Sequence, residues 1–522
     1  MSLLRGMLDD VLLRGRDIRQ LRALVPQPIR ARLAGIMQAP SAAAHLEAEE
    51  WVRRRTAARL AGLAAADPDG VPLSFLTPVW NVPVAFLREL AASVAEQTRL
   101  HPVEWVVLDN GSTDAQVIEC LDREIATQGH VRFFRSPNNL GIVLGTRLCL
   151  ERATGRYVLR LDHDDVLYPD AAAIMGRALK KAGHPALAYS DIDHLVDGRR
   201  ARPFLKPDWD PVLFLEQCYT AHLDAVDREL ALSLGAYEDP ACEASPDWDC
   251  FVRFVLAGHT PLHVPEVLYS WRMHAQSTAM DITAKSSVES SHRAVLGGWL
   301  AATGLSERFS IEKSPLFSGT PDWWIRRRAV DPPHFVVVHV GEMSEAATPN
   351  TAGVPVSQRY AVNRSAQACD LAAILDPDLP ADSLVCVARA GAMPDGQDWA
   401  WEAIGVFDLH ADAVGVCGRT LDEASRIVDA GGCLGFGSGA DSPDAGRPLA
   451  DPGYGLWLWK RHSVSTASGA FAVYRAGFLT GLLKDGCPAD LDLRLLGAWA
   501  GAHARRTGRR IVYSPHITVR LG

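Results

Sequence analysis

The sequence predicts an α/β fold: a mixed, mainly parallel sheet covered by helices on both faces, followed by a reduced second copy of the same rhythm. Three observations carry this. Between residues 69 and 318, short apolar runs alternate with stretches whose apolar residues recur at helical spacing. Polar clusters stand at the ends of three of those runs, where open parallel sheets bind ligands. Residues 319–522 repeat the alternation in shortened form.

The expected strands, in order, are Leu73–Trp80, Val103–Asp109, Val131–Arg135, Tyr157–Asp162 and Leu187–Ser190. Between them Val84–Gln97, Ala115–Ile125 and Asp170–Lys181 have the apolar spacing of helices. In the last segment His334–Val340, Leu384–Ala388, Ala413–Gly418, Gly469–Tyr474 and Arg510–Ser514 read as strands. The expected domains are therefore a helical arm (1–68), a catalytic domain (69–318) and a second, truncated domain (319–522).

At 522 residues the chain exceeds one ordinary core. Apolar residues at 48% and charged residues at 22% are the balance of a globular enzyme, and a net charge of −9 argues against a nucleic-acid partner. The ten cysteines include no Cys-x-x-Cys pair, which argues against a finger-type zinc site and fits reduced thiols in the cytoplasm. Residues 1–37 hold seven Arg against three Asp among apolar residues. Two readings stand: peripheral contact with the cytoplasmic face of the inner membrane, or a helical arm packed on the catalytic domain.

The chemistry gathers on the polar clusters. Asp162-His163-Asp164-Asp165 follows the apolar run Tyr157–Leu161. Like charges so close raise one another's pKa, so a divalent cation such as Mg²⁺ or Mn²⁺ is the expected partner, placed to neutralise a departing diphosphate. Asp109-Asn110-Gly111-Ser112-Thr113-Asp114 reads as a tight turn whose Asp109 or Asn110 can accept a hydrogen bond from a base. In Pro246-Asp247-Trp248-Asp249 an aromatic ring beside a carboxylate suits sugar chemistry, although Asp247 equally suits a helix cap.

LDHDD (161–165), YSDID (189–193), Lys206-Pro207-Asp208-Trp209 and LYSWRMHAQSTA (268–279) occur in order. Together they resemble a bacterial branch of the family 2 glycosyltransferases with the GT-A fold, involved in surface polysaccharide assembly. The resemblance spans residues 70–285. It implies an inverting transfer from a nucleotide diphosphate sugar, UDP- or dTDP-linked, to an oligosaccharide or lipid-linked glycan. By it Asp247 is the catalytic base. Thr77, Pro78, Asn81, Asp109, Asn110, Gly141, Arg147, Asp162, His163 and Arg272 surround the nucleotide sugar. Asp191, Trp248 and Trp271 face the acceptor, and Asp162, Asp164 and His274 hold the metal. Pro246 departs from the Glu or Gln that commonly precedes the base, and Arg147 from an Asn.

Val414–Gly437 and Ser465–Phe478 resemble the second transferase domain of longer members. Here Leu384–Val387 is followed by Ala388-Arg389-Ala390-Gly391, with no carboxylate. Only 25 residues separate Val336 from Ala361, against 58 between Phe75 and Phe133, which leaves no room for a second strand and its base-binding turn. The expectation is a non-catalytic domain that binds glycan, through Tyr454, Trp457 or Trp459, or holds a homodimer. Two other readings of the whole chain are a scaffold that keeps the fold without turnover and a sugar nucleotidyltransferase. The latter needs a basic, Gly-rich triphosphate loop that Thr77–Pro83 does not supply.

Overall fold

The computed structural model describes residues 42–62, 69–274, 287–317, 322–341, 351, 353–363, 365–396, 398–435 and 440–522. Residues 1–37 and the end of the LYSWRMHAQSTA motif lie outside them. Two compact units emerge among the described residues. One comprises His45–Gly304 and Lys313–Trp323; the other comprises Leu305–Glu312 and Trp324–Gly522. The chain thus exchanges between units over residues 305–324, not at a single boundary near 318.

In the first unit, helix α1 (Ala42–Ala61) precedes strand β1 (Leu73–Val79), α2 (Val84–Gln97), β2 (Val103–Asn110), β3 (Val131–Ser136), α3 (Gly141–Arg152) and β4 (Tyr157–Arg160). Then come β5 (Val166–Leu167), α4 (Ala171–Lys181), β6 (Leu187–Val196), β7 (Arg199–Phe204), β8 (Asp224–Asp227), α5 (Pro246–Leu256), β9 (Leu262–Met273) and α6 (Ser287–Ala302). One sheet runs in the order β3-β2-β1-β4-β8-β6-β9-β5, with β7 beside β6. β1 is parallel to β2 and β4, while β8 runs antiparallel to β4 and β6.

Burial explains the elements. Leu87, Leu90, Ala91 and Val94 put one face of α2 inside, at the spacing of a helix stripe. β4 is buried along its whole length, as befits a central strand covered on both faces. Arg59 fastens α1 to the unit through Asp170 at 2.6 Å and Glu266 at 2.9 Å. β6 continues six residues past the expected Ser190, because its C-terminal half pairs with both β7 and β9.

Apart from the end residues Lys313 and Trp323, the second unit holds β10 (Phe309–Lys313), β11 (Trp323–Arg327), β12 (Phe335–Val340), β13 (Val356–Val362), β14 (Leu384–Arg389) and β15 (Ala392–Asp395). Helix α7 (Trp399–Leu409), β16 (Ala413–Leu421), β17 (Ile427–Asp429), β18 (His462–Val464), β19 (Phe471–Arg475), α8 (Leu496–Arg506) and β20 (Arg510–Leu521) follow. Its main sheet runs β13-β12-β14-β19-β16-β20-β15, with β17 beside β16. This is the order of the first sheet without its β3. The senses agree too: β12 is parallel to β13 and β14, β19 is antiparallel to β14 and β16, and β16 is parallel to β20. The expectation of no second strand is thus corrected. β13 occupies that place, its short connection leaving out only the third strand. Among the described residues no helix is long and apolar enough to cross a membrane, and all ten cysteines are free thiols.

The second unit is pinned by a buried ion pair. Glu402 on α7 accepts from Arg461 at 2.7 and 3.0 Å, from Ser514 at 2.6 Å and from the Trp324 indole at 3.0 Å. Burial alone would raise Glu402, but Arg461, His516 and Ser514 outweigh it and hold the carboxyl at about 2. A pKa below the ordinary 4.5 means the stabilisation is complete above about pH 4.5 and is lost as pH falls through about 2. Glu402→Ala strands a buried guanidinium and is expected to cost about 3–5 kcal/mol in chemical denaturation at pH 7.

Candidate active site

The parallel pairings of β1 with β2 and β4 bring their carboxyl ends level, and the acidic run leaves the sheet from the last of them. β4 ends on a charged residue. Arg160 stands opposite Leu76 of β1 and is only 5% exposed. Its Nη1 donates to Asp162 Oδ1 at 2.7 Å, its Nε and Nη2 cover both oxygens of Asp247, and Nη2 lies 3.0 Å from His222 Nδ1. Burial works against this cation, but Asp162, Asp247 and Asp224 outweigh it and hold the guanidinium charged. The positive charge expected among the aspartates is thus supplied first by the chain itself.

Asp247 reaches Arg160 because α5 begins one residue earlier. Pro246 occupies the first helical position, where its missing N–H costs nothing and its fixed φ favours the turn. The carboxylate then sits in the first turn, where the helix dipole favours negative charge. It is not the N-cap: that position belongs to Ser245.

On the other side of the cluster, Asp164 Oδ2 lies 2.8 Å from His274 Nε2, and Oδ1 lies 3.4 Å from His163 Nδ1. Burial would raise Asp164, but these two imidazoles hold its carboxyl well below the usual range. Asp165 is fully buried, accepting from the Tyr269 hydroxyl and, at 2.6 Å, from the Arg272 main chain. Burial, then the charges of Asp164 and Asp162, push it well above the carboxylate range. Arg272 lies over the Phe86 ring at 4.3 Å, donates to the Asp164 carbonyl and reaches Glu89 at 2.7 Å.

Behind Asp247 lie His222, Asp224 and Lys206. His222, Asp224 and Asp247 are the His/Asp/Asp set at metal-ligand spacing among the described residues, their atoms within 4.8 Å of one another. This trio does not fit a divalent ion, because Arg160 already covers Asp247 and touches His222. Asp164 and His274, in contact at 2.8 Å, pair a carboxylate, the hard donor that Mg²⁺ and Mn²⁺ favour, with an imidazole, a softer one.

Several residues expected at the ligand are engaged within the fold. Thr77 is fully buried, its hydroxyl donating to Leu161 O at 2.9 Å and accepting from the Trp105 indole at 2.9 Å. Asp109 has both oxygens engaged, by Arg135 and by the Ser112 N–H at 2.9 Å. Asn110 ties down the loop at Leu140 and Gly141, at 3.1 and 2.9 Å. Asn81 accepts from the main chain of Thr113 and Asp114, at 2.9 and 3.0 Å. Arg147 is held by Glu151 and Glu238, both at 2.9 Å.

On the acceptor side, Asp191 is buried, accepting from the Lys206 N–H at 2.8 Å and lying 2.9 Å from His263 Nε2. Trp248 is 2% exposed, its indole donating to Phe214 O at 3.0 Å. Of the expected acceptor residues, half-buried Trp271 lies beside the network, its ring 6.0 Å from that of His222. Pro78 is half-open, and Gly141 begins α3 with φ of +81°. A Cβ there would meet Glu243 at 2.5 Å, because the Glu243 carboxylate caps the N–H groups of Ile142 and Val143.

Sequence reading passed over Arg160, His222, Asp224 and Glu243 as functional residues. One signal was present: a lone Arg inside the apolar run YVLRL, directly before the acidic cluster. The others come from segments whose neighbours only folding reveals.

Residues 74–210 match the family model described as Glycosyl transferase family 2. An uncharacterized protein of Sinorhizobium fredii, y4gI, is 31% identical over 254 residues, 48% of this chain and 28% of that protein. The O-antigen biosynthesis protein RfbC of Myxococcus xanthus is 30% identical over 254 residues, 48% of this chain and 20% of that protein. This chain therefore spans less than a third of either relative. A crystal structure of S. aureus TarS 1–349 in complex with UDP-GlcNAc aligns at 16% identity with a TM-score of 0.36, covering 44% of this chain and 66% of that one.

Thr77→Val removes the acceptor of a buried indole N–H. It is expected to cost about 1–3 kcal/mol of stability in denaturant unfolding. Nucleotide diphosphate affinity, measured by calorimetry, is expected to stay unchanged, because the hydroxyl faces the sheet.

Proposed function

We propose that this chain, whose residues 74–210 match the Glycosyl transferase family 2 model, moves a sugar, with inversion, from a nucleotide diphosphate donor to a saccharide or lipid-linked saccharide acceptor. The observation that carries this reading is the Arg160 bridge. It joins Asp162, at the mouth of the acidic cluster, to Asp247, at the head of α5. A donor-side carboxylate and a candidate base are thereby held in one rigid unit.

In this reading the acceptor hydroxyl attacks the anomeric carbon from the side opposite the diphosphate. Asp247 takes the hydroxyl proton as the new C–O bond forms, while the bond to the diphosphate breaks and its electron pair leaves with the phosphate. A divalent cation, when bound by Asp164 and His274, supplies Lewis-acid neutralisation of the diphosphate. Arg272, stacked on Phe86, braces Asp164 from its main-chain side. Trp271 offers the acceptor an aromatic edge. The donor is a uridine or thymidine diphosphate sugar, and the name of the M. xanthus relative supports surface polysaccharide as the product class.

The second unit is non-catalytic in this reading. Its β14 ends in Arg389-Ala390-Gly391, where β4 of the first sheet leads into Asp162–Asp165. Catalysis then resides in the first unit alone.

The test is nucleoside diphosphate release from a panel of uridine and thymidine diphosphate sugars, with Mn²⁺ or a chelator. Asp247→Asn is expected to lose about 10²-fold or more in turnover while still binding donor. Asp164→Ala is expected to abolish the metal dependence of donor binding together with turnover. Normal turnover by Asp247→Asn would remove that residue from the base role.

A further inference from the structure

The network behind Asp247 ends in a carboxyl group that the transfer reaction, as described, leaves unused. Asp224, the first residue of β8, is 1% exposed, and neither of its side-chain oxygens has a hydrogen-bond partner among the described residues. A buried carboxyl without partners is costly and calls for a reason. One of its oxygens lies within 4.8 Å of an oxygen of Asp247 and of a His222 ring nitrogen. A separation up to that limit can be bridged by one water through two hydrogen bonds.

Lys206 closes the far side. It is 4% exposed, and its ammonium donates to the main-chain oxygens of Thr220 at 2.9 Å and His222 at 2.6 Å. The groups acting on Asp224 from the surrounding elements are Asp247 of α5, Arg160 of β4, and Lys206. Cys218, Tyr237 and Cys250 also feel its charge. Burial, then the Asp247 charge, push Asp224 up to about 7, against the pull of Arg160 and Lys206. Burial pushes Lys206 down to about 7, against the pull of Asp191 and Asp224. An acid and a base of matched affinity in one enclosed space change protonation at little cost.

We propose that Asp224 is the proton-accepting partner of Asp247, resting on the transferase reading above. The acceptor O–H bond breaks as its oxygen joins the anomeric carbon, and the diphosphate departs with the electron pair of the old bond. The proton goes to Asp247 and then through a bridging water to the Asp224 carboxylate, leaving Asp247 ionised again. After the products leave, the proton returns to bulk water. Asp224 touches no substrate, so it is a positioning residue acting through the base. Arg160 has a complementary part: it fixes Asp247 by both oxygens while each oxygen keeps a lone pair for proton exchange.

Two measurements on the full chain test this. Infrared titration between pH 5 and pH 9 reads buried carboxylic acids without turnover. Beside the signal of buried Asp165, wild-type protein is expected to show a carboxylic-acid component that vanishes near pH 7 and is missing from the difference spectrum of Asp224→Asn. In the second, nucleoside diphosphate release from the donor panel is followed against pH. Wild-type turnover is expected to rise about tenfold between pH 6 and pH 8, and Asp224→Asn to be slow and flat across that range. Lys206→Met, which removes a cation beside Asp224, is expected to move both the band and the rise to higher pH, and it serves if Asp224→Asn does not fold. A band titrating near pH 7 that persists unchanged in Asp224→Asn, or a rise in rate that survives in it, overturns the proposal, as does an unmoved rise in Lys206→Met. Absence of turnover in wild type with every donor refutes the transferase reading instead, while the infrared band still decides the protonation of Asp224.

Discussion

Arg160 carries a full charge into the interior at the end of a central strand, and much of the site is arranged around its neutralisation. A guanidinium has five N–H donors in a fixed fork, so it can hold two carboxylates at once in a defined geometry. Here it holds Asp162 and Asp247, which are 85 positions apart in the chain. Those two residues leave the fold from different elements, one after β4 and one at the start of α5. The ion pairs set the distance between them. Remaining charges fall into place around this bridge: the Asp164–His274 contact on one side and the buried Asp224–Lys206 neighbourhood on the other.

The second sheet shows what the same topology does without that arrangement. Its strand order and senses repeat those of the first, less one edge strand. At the corresponding strand end stands Arg389 with Ala390 and Gly391 after it, and no acidic run follows. The buried charge pair of this unit, Arg461 with Glu402, is complete in itself and further satisfied by Ser514 and Trp324. Such a pair holds elements together. In the first unit the charges are shared among more groups than a closed pair needs, and the surplus is what chemistry can use.

Much of the architecture was legible in the chain because apolar runs and polar breaks report which strands are buried and where they end. β1, β2, β4, β12, β14 and β16 are seen this way, and with them the level at which the acidic run leaves the sheet. The short strand β8 and the edge strand β13 were not, because a few residues of mixed polarity carry no clear period. The LDHDD and SWRMH motifs, singled out by resemblance, meet in the fold, where Asp164 and His274 are in contact. Motif membership did not separate Thr77, Asp109 and Trp248, whose polar groups are engaged within the fold, from Asp164 and His274, which contact one another.

By itself the sequence determined the two-sheet α/β plan, the position of the acidic cluster at a strand end, and the loss of that cluster in the second unit. These follow from local periodicity and from residues adjacent in the chain. Only the tertiary structure decided which polar groups are spent on internal hydrogen bonds, which carboxylates share Arg160, and that Asp224 and Lys206 meet behind Asp247. Those outcomes depend on burial and on distances between residues far apart in sequence. Desolvation and charge pairing act through space, so the chain order holds no record of them.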